Sequence, residues 1–150
     1  MATNEMKMKQ DGHTLLEVLV VLVVMGIISA LAGPNVLHAY ARVQLQAVAQ
    51  QIASELRLAR QLARTHRVQV AVTFDASRET IETRYQNGTT AHHHYQYGNT
   101  GVMVDEPSAG PEILFHPNGK YATATTIWLR NKQGDVQRMT VGITGRVRVK

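Results

Sequence analysis

The sequence predicts an α+β fold in which one long N-terminal helix is followed by antiparallel strands. Three observations carry this. From Thr14 to Gly33, a run of Leu, Val, Ile, Met and Ala holds a single charge, Glu17. Beyond Pro34, apolar residues recur every three or four positions, the period of an amphipathic helix. After His66 the period drops to two, as in half-buried strands.

Residues 1–12 are polar, lack an apolar core and read as a leader to be removed. Residues 13–33 read as a transmembrane helix, since twenty helical residues at ~1.5 Å each reach ~30 Å, about one hydrocarbon core. A carboxylate in such a run costs about 2.5–3.5 kcal/mol at mid-membrane and less near an end. Glu17, close to the start, therefore either snorkels to the headgroups or awaits a positive partner such as a neighbouring subunit's amine. Ala30-Leu31-Ala32, with Lys7 and Lys9 upstream, also fits a removable secretory signal. Glu17 and the length of the run favour a retained anchor. Gly33-Pro34 should kink or locally break the helix, because proline lacks an N–H and crowds the preceding turn.

Residues 34–66 continue as an amphipathic helix entering a globular domain. Leu45, Val48, Ile52, Leu56, Ala59 and Ala63 form one stripe. Arg57, Arg60 and Arg64 fall largely off it, as a solvated face or as a surface for acidic neighbours in a filament. Residues 67–150 supply the sheet. Val68, Val70, Val72 and Phe74 alternate with polar positions. Ile81, Thr83 and Tyr85 make a weaker strand, and Asn87-Gly88 favours positive φ and closes that hairpin. From Thr89 to Pro111 the pattern is lost and reads mostly as loop, with a short strand at 102–104. Strands return at 113–115, around Thr125–Leu129, at Gln137–Val141 and in the tail. About 115–120 residues beyond leader and anchor suffice for one packed domain.

The chain has a formal charge of +5, unevenly spread. His38–Arg67 carries five arginines against Glu55, and residues 68–119 set six acids against two arginines. Residues 120–150 carry seven bases against Asp135. Such segregation points to a polyanion or an acidic surface as partner. In the tail, Val147 and Val149 should face the core while Arg146, Arg148 and Lys150 face outward, ~6.7 Å apart by twice the strand rise. Guanidinium grips phosphate with two parallel hydrogen bonds, and lysine adds a point charge. Gly145 lets the preceding turn adopt conformations closed to other residues. Protection of an edge strand by its positive charges explains the same row.

Gly12-His13-Thr14-Leu15-Leu16-Glu17 before a long aliphatic helix resembles the prepilin signal of type IV pilins and type II secretion pseudopilins. The resemblance implies cleavage after Gly12 by a prepilin peptidase and methylation of the new amine at His13, where the family usually has Phe. It also implies pairing of Glu17 with a neighbouring subunit's amine during filament assembly. Phe115-His116-Pro117-Asn118-Gly119, Trp128-Leu129-Arg130 and the closing segment Val141–Val149 resemble the GspH/FimT family. This implies a type IV pilin-like fold, a long helix packed on antiparallel sheet. It further implies an inner-membrane, single-pass protein with a periplasmic domain that enters a surface filament with other pilins.

In some FimT-type members a Gly-Arg-x-Arg tail binds DNA for uptake in natural transformation, and here Gly145-Arg146-Val147-Arg148 carries it. The function so implied is a minor pilin binding double-stranded DNA without sequence preference. Arg146 and Arg148 would lead, with Lys150, Arg138, Lys132 and Arg130 in support. Three neutralised phosphates give a salt slope of about −2.7. The alternative is a GspH-like minor pseudopilin at the tip of the type II secretion pseudopilus.

Enzymatic chemistry has little support. There is no cysteine, no Ser-His-Asp arrangement stands out, no glycine-rich loop follows a strand, and the carboxylates are scattered. No cofactor is implied. His92, His93 and His94 are adjacent residues that rarely converge on one metal ion without help, so they read as an exposed loop.

Overall fold

The computed structural model describes residues 15–88, 91–119 and 121–150. Gly12, His13 and Lys120 lie outside the described residues. The chain divides into two compact units, residues 1–37 and 38–150, and helix α1 (Leu15–His66) contributes to both. In the first unit every described side chain from Leu15 to Leu31 is exposed. This stretch is long and apolar enough to cross a membrane. Glu17 sits in the first turn of α1. The local break expected at Pro34 is absent: helix is retained through it, so the hydrogen bond that proline removes does not end the element.

In the second unit, α1 buries the stripe its period specified, Leu45, Val48, Ile52, Leu56, Ala59 and Ala63, and beside it Ala49 and Ala53. Eight strands follow: β1 (Val70–Asp75), β2 (Thr80–Tyr85), β3 (Ala91–Gln96), β4 (Val102–Val104), β5 (Glu112–Phe115), β6 (Thr125–Asn131), β7 (Val136–Val141) and β8 (Val147–Val149). They form two antiparallel four-stranded sheets, ordered β3-β2-β1-β5 and β4-β6-β7-β8. One apolar cluster joins the helix stripe to Val70, Val72, Ile81, Ile113 and Phe115 of the first sheet. From the second it takes Ile127, Leu129, Met139, Val141 and Val147.

Three local expectations are corrected. Arg67 takes the left-handed conformation, φ 54°, and ends the helix, so β1 begins at Val70 and not at Val68. Neither Asn87 nor Gly88 has positive φ. Gly88 N–H instead donates to the Tyr85 carbonyl at 3.0 Å, and a bulge between Thr83 and Arg84 adjusts the β2–β3 register. The supposed loop 89–111 contains strand β3 and a 3₁₀ turn, Gly98–Thr100, besides β4. β3 is an edge strand whose histidines are exposed, so it shows no alternation of apolar and polar residues for the eye to find.

Inside β3, His93 has a structural contact. Its Nδ1 lies 2.8 Å from Oε2 of Glu55, a helix residue only 4% exposed, whose Oε1 accepts from Gln51 Nε2 at 3.0 Å. Burial first, and the Glu55 charge second, raise the pKa of Tyr95. His92 rests against Tyr85, ring centroids 5.2 Å apart, and Tyr85 meets His66 at 5.5 Å. Among the described residues, no group of three or more His, Asp and Glu is placed to hold a metal ion.

Candidate nucleic-acid interface

The tail is positioned by the turn joining β7 to β8. Gly145 N–H donates to the Gly142 carbonyl at 2.7 Å, and Gly142 N–H donates to the Arg146 carbonyl at 2.9 Å. Ala122 N–H reaches the Ile143 carbonyl at 2.7 Å, and a bridge from Ala122 to Phe115 ties this corner to the first sheet. Beyond the turn, Val147 is buried and Val149 half-buried, while Arg146, Arg148 and Lys150 are exposed. β8 is also an edge strand, so a charged outer row there serves edge protection at the same time.

Helix α1 supplies the residues that sequence reasoning missed. Arg60, Thr140, Gly142, Thr144, Arg146 and Arg148 line a groove of about 590 Å³. Arg57, Arg60, Gln61, Arg64 and Thr65 line another of about 500 Å³. Arg60 is common to both, so helix and tail arginines form one strip. Two glycines in separate loops give it room. A β-carbon on Gly119 would stand 2.5 Å from Arg64 Cδ, and one on Gly145 would stand 3.0 Å from Arg60 Nε. Both glycines have positive φ, +62° and +69°. Arg60 Nη2 also donates to the Gly119 carbonyl at 3.2 Å. Spacings of three and four place 57, 60 and 64 on one helix face, a signal readable in sequence. That they face the tail depends on packing.

Among the described residues, Arg57, Arg60, Arg64, Arg146 and Arg148 form no ion pair with a carboxylate. Five guanidinium groups along a concave strip raise the local concentration of anions. The other sequence-derived residues divide. Lys150 and Arg138 exchange backbone hydrogen bonds at 2.8 and 3.0 Å, so their side chains share a face. Arg130 is tied to Asp105 by a salt bridge, which sets a carboxylate beside its guanidinium. Lys132 is exposed in the β6–β7 turn beside Gly101, at the opposite end of the β6–β7 ladder from Gly145. It does not join the strip, because strand register carries it away.

Comparison with known proteins adds the identity of the frame. Residues 7–33 match the prokaryotic N-terminal methylation motif, and residues 48–145 match the type II transport protein GspH. The second match stops at Gly145, so the cationic tail lies beyond it. The fold is similar to the type IV minor pilin FimU of Pseudomonas aeruginosa, with 17% identity and a TM-score of 0.62 over 73% of this chain and 90% of that one. It is also similar to the minor pseudopilin EpsH of the type 2 secretion system of Vibrio cholerae, at 16% identity and a TM-score of 0.56 over 71% and 96%. No curated protein is significantly similar in sequence. A methylation motif at the head of an apolar helix, and a GspH domain built on that helix and its two sheets, mean that this chain belongs to the GspH family of pilin-like proteins, as a minor pilin or pseudopilin.

Proposed function

We propose that this protein is a minor type IV pilin that captures double-stranded DNA through its phosphates, for uptake in natural transformation. The observation that carries the reading is Arg60, which joins the tail arginines to Arg57 and Arg64 in one strip that, among the described residues, has no carboxylate ion pair. Backbone contacts of this kind confer no sequence preference. If all five arginines neutralise phosphates, the salt slope is about −4.5, steeper than the tail alone provides. Single-subunit affinity remains weak, roughly 10⁻⁴–10⁻⁶ M, and repetition along a filament raises avidity.

The rest of the chain serves placement. The prepilin peptidase cuts after Gly12, His13 becomes the methylated end, and Glu17 pairs with the amine of a neighbouring subunit. Residues 13–33 hold the protein across the inner membrane, with the domain in the periplasm, until it enters the filament. The methylation motif over 7–33 favours this retained anchor over a removable signal ending near Ala32. N-terminal sequencing of the mature protein tests it: His13 is expected, and Gly33 overturns it.

DNA capture is tested by titrating the protein with random duplex at several salt concentrations. Salt-sensitive binding that weakens in Arg146→Ala/Arg148→Ala supports the reading, and binding indifferent to both rejects it. The GspH match and the EpsH likeness favour a second reading, a pseudopilin whose basic strip docks on acidic faces of its neighbours. Deletion then impairs protein secretion and leaves transformation intact.

A further inference from the structure

The outer face of the second sheet carries a feature that duplex capture does not use. Trp128, the chain's sole tryptophan, is 41% exposed there. The register aligns Trp128 with Arg138, and Arg138 with Lys150 through their reciprocal backbone bonds. Paired residues point to the same side, so Trp128, Arg138 and Lys150 form a row across three strands, each ~4.8 Å from the next. The Arg138 guanidinium carbon stands 5.8 Å from the indole centroid. The adjacent row, Thr126, Thr140 and Arg148, brings in the tail arginine that lines the large groove. Two acids border the row, each engaged elsewhere: Asp105, whose N–H donates to the Trp128 carbonyl at 2.9 Å, is paired with Arg130, and Asp135, which lines a groove with Lys150, is held by Arg42 and Asn131.

We propose that Trp128 and Arg138 form a stacking platform for an unpaired base, with Lys150 and Arg148 holding the flanking phosphates, so that the protein binds single-stranded DNA and frayed ends as well as duplex. This rests on the nucleic-acid reading above and extends it to a further substrate class. An exposed indole beside a guanidinium offers π-stacking and cation–π attraction that every base can use. A base inside a duplex is already stacked on its neighbours and cannot offer its face. Phosphate contacts alone do not distinguish the two, whereas a stacking platform does. The cations beside Trp128 make its surroundings complementary to a polyanion.

Because Trp128 is unique, its fluorescence reports on this site directly. Full-length protein in non-ionic detergent is titrated with oligo-dT, with blunt duplex and with inorganic polyphosphate, which has charge but no bases. Oligo-dT is expected to quench the emission strongly, and polyphosphate is not. With labelled oligonucleotides, Trp128→Leu is expected to weaken single-strand binding at least about fivefold while leaving blunt duplex unchanged, and Trp128→Phe to restore most of the loss. Equal quenching by polyphosphate, or an equal effect of Trp128→Leu on both DNAs, overturns the platform and leaves duplex capture standing. If Trp128→Leu impairs filament assembly but binds oligo-dT normally, the face belongs to a neighbouring subunit and the proposal fails. Absence of binding to any DNA rejects the underlying reading as well.

Discussion

The Arg60 side chain passes over Gly145 so closely that a β-carbon there would lie 3.0 Å from its Nε and 3.1 Å from its Cδ. Helix and tail thus meet at a residue that has no side chain. Gly145 also has φ +69°, a conformation that costs other residues about 1–2 kcal/mol. Gly145→Ala is therefore expected to destabilise the domain by about that amount and to displace Arg60, lowering duplex affinity. Chemical denaturation and DNA titration of the same variant check the two effects.

The strip predicts that helix arginines count as much as tail arginines. Arg57→Ala/Arg64→Ala should weaken duplex binding and flatten the salt slope by about 1.8, as should Arg146→Ala/Arg148→Ala. Lys132→Ala, at the far end of the ladder, should change little. Titrations at several salt concentrations separate these outcomes, and an unaltered slope in the helix variant would remove α1 from the interface.

His93 is expected to matter for stability. His93→Ala removes the imidazole that stands 2.8 Å from Oε2 of the buried Glu55, an oxygen with no hydrogen-bond partner among the described residues, while Oε1 keeps its bond from Gln51. An under-satisfied buried polar group costs about 1–3 kcal/mol. Thermal unfolding of the variant should show a loss of that order, whereas the exposed His94 replaced by Ala should show none.

Asp135 sets an acid limit on the β6–β7 turn. A hydrogen bond from Asn131 first, and one from Arg42 second, hold its carboxyl below the ordinary 3.8. A depressed folded value means that the stabilisation is complete above 3.8 and is lost as pH falls through the lower folded value. An NMR titration of the Asp135 carboxyl should give a midpoint below 3.8. Arg42→Gln should raise it part of the way, since the Asn131 bond remains.

Arg67 closes α1 in the left-handed region, where glycine is at ease. Arg67→Gly is expected to stabilise the domain by about 1 kcal/mol, the strain relieved being offset in part by a freer unfolded chain. Denaturant midpoints of the two proteins provide the comparison.

Periodicity was enough for the helix stripe from Leu45 to Ala63, for six of the strands as segments, and for the alternation of Val147 and Val149 with Arg146, Arg148 and Lys150. These depend on local spacing, and burial follows spacing when one face is apolar. β3 escaped because His92, His93 and His94 on an exposed edge carry no apolar rhythm, and their pairing with β2 is a long-range choice. The division into two sheets was equally hidden, since strand order comes from which edges remain open after packing.

What the sequence determined alone was the membrane-length apolar run with its methylation motif, the cationic tail and the family resemblance, because each resides in contiguous residues. What only the tertiary structure decided was which cations lie side by side. Arg60 reaches Gly145 across 85 positions of sequence because both elements pack on one core, while Asp105 claims Arg130 and register removes Lys132. Charge is written in the chain, but its neighbours are chosen by folding.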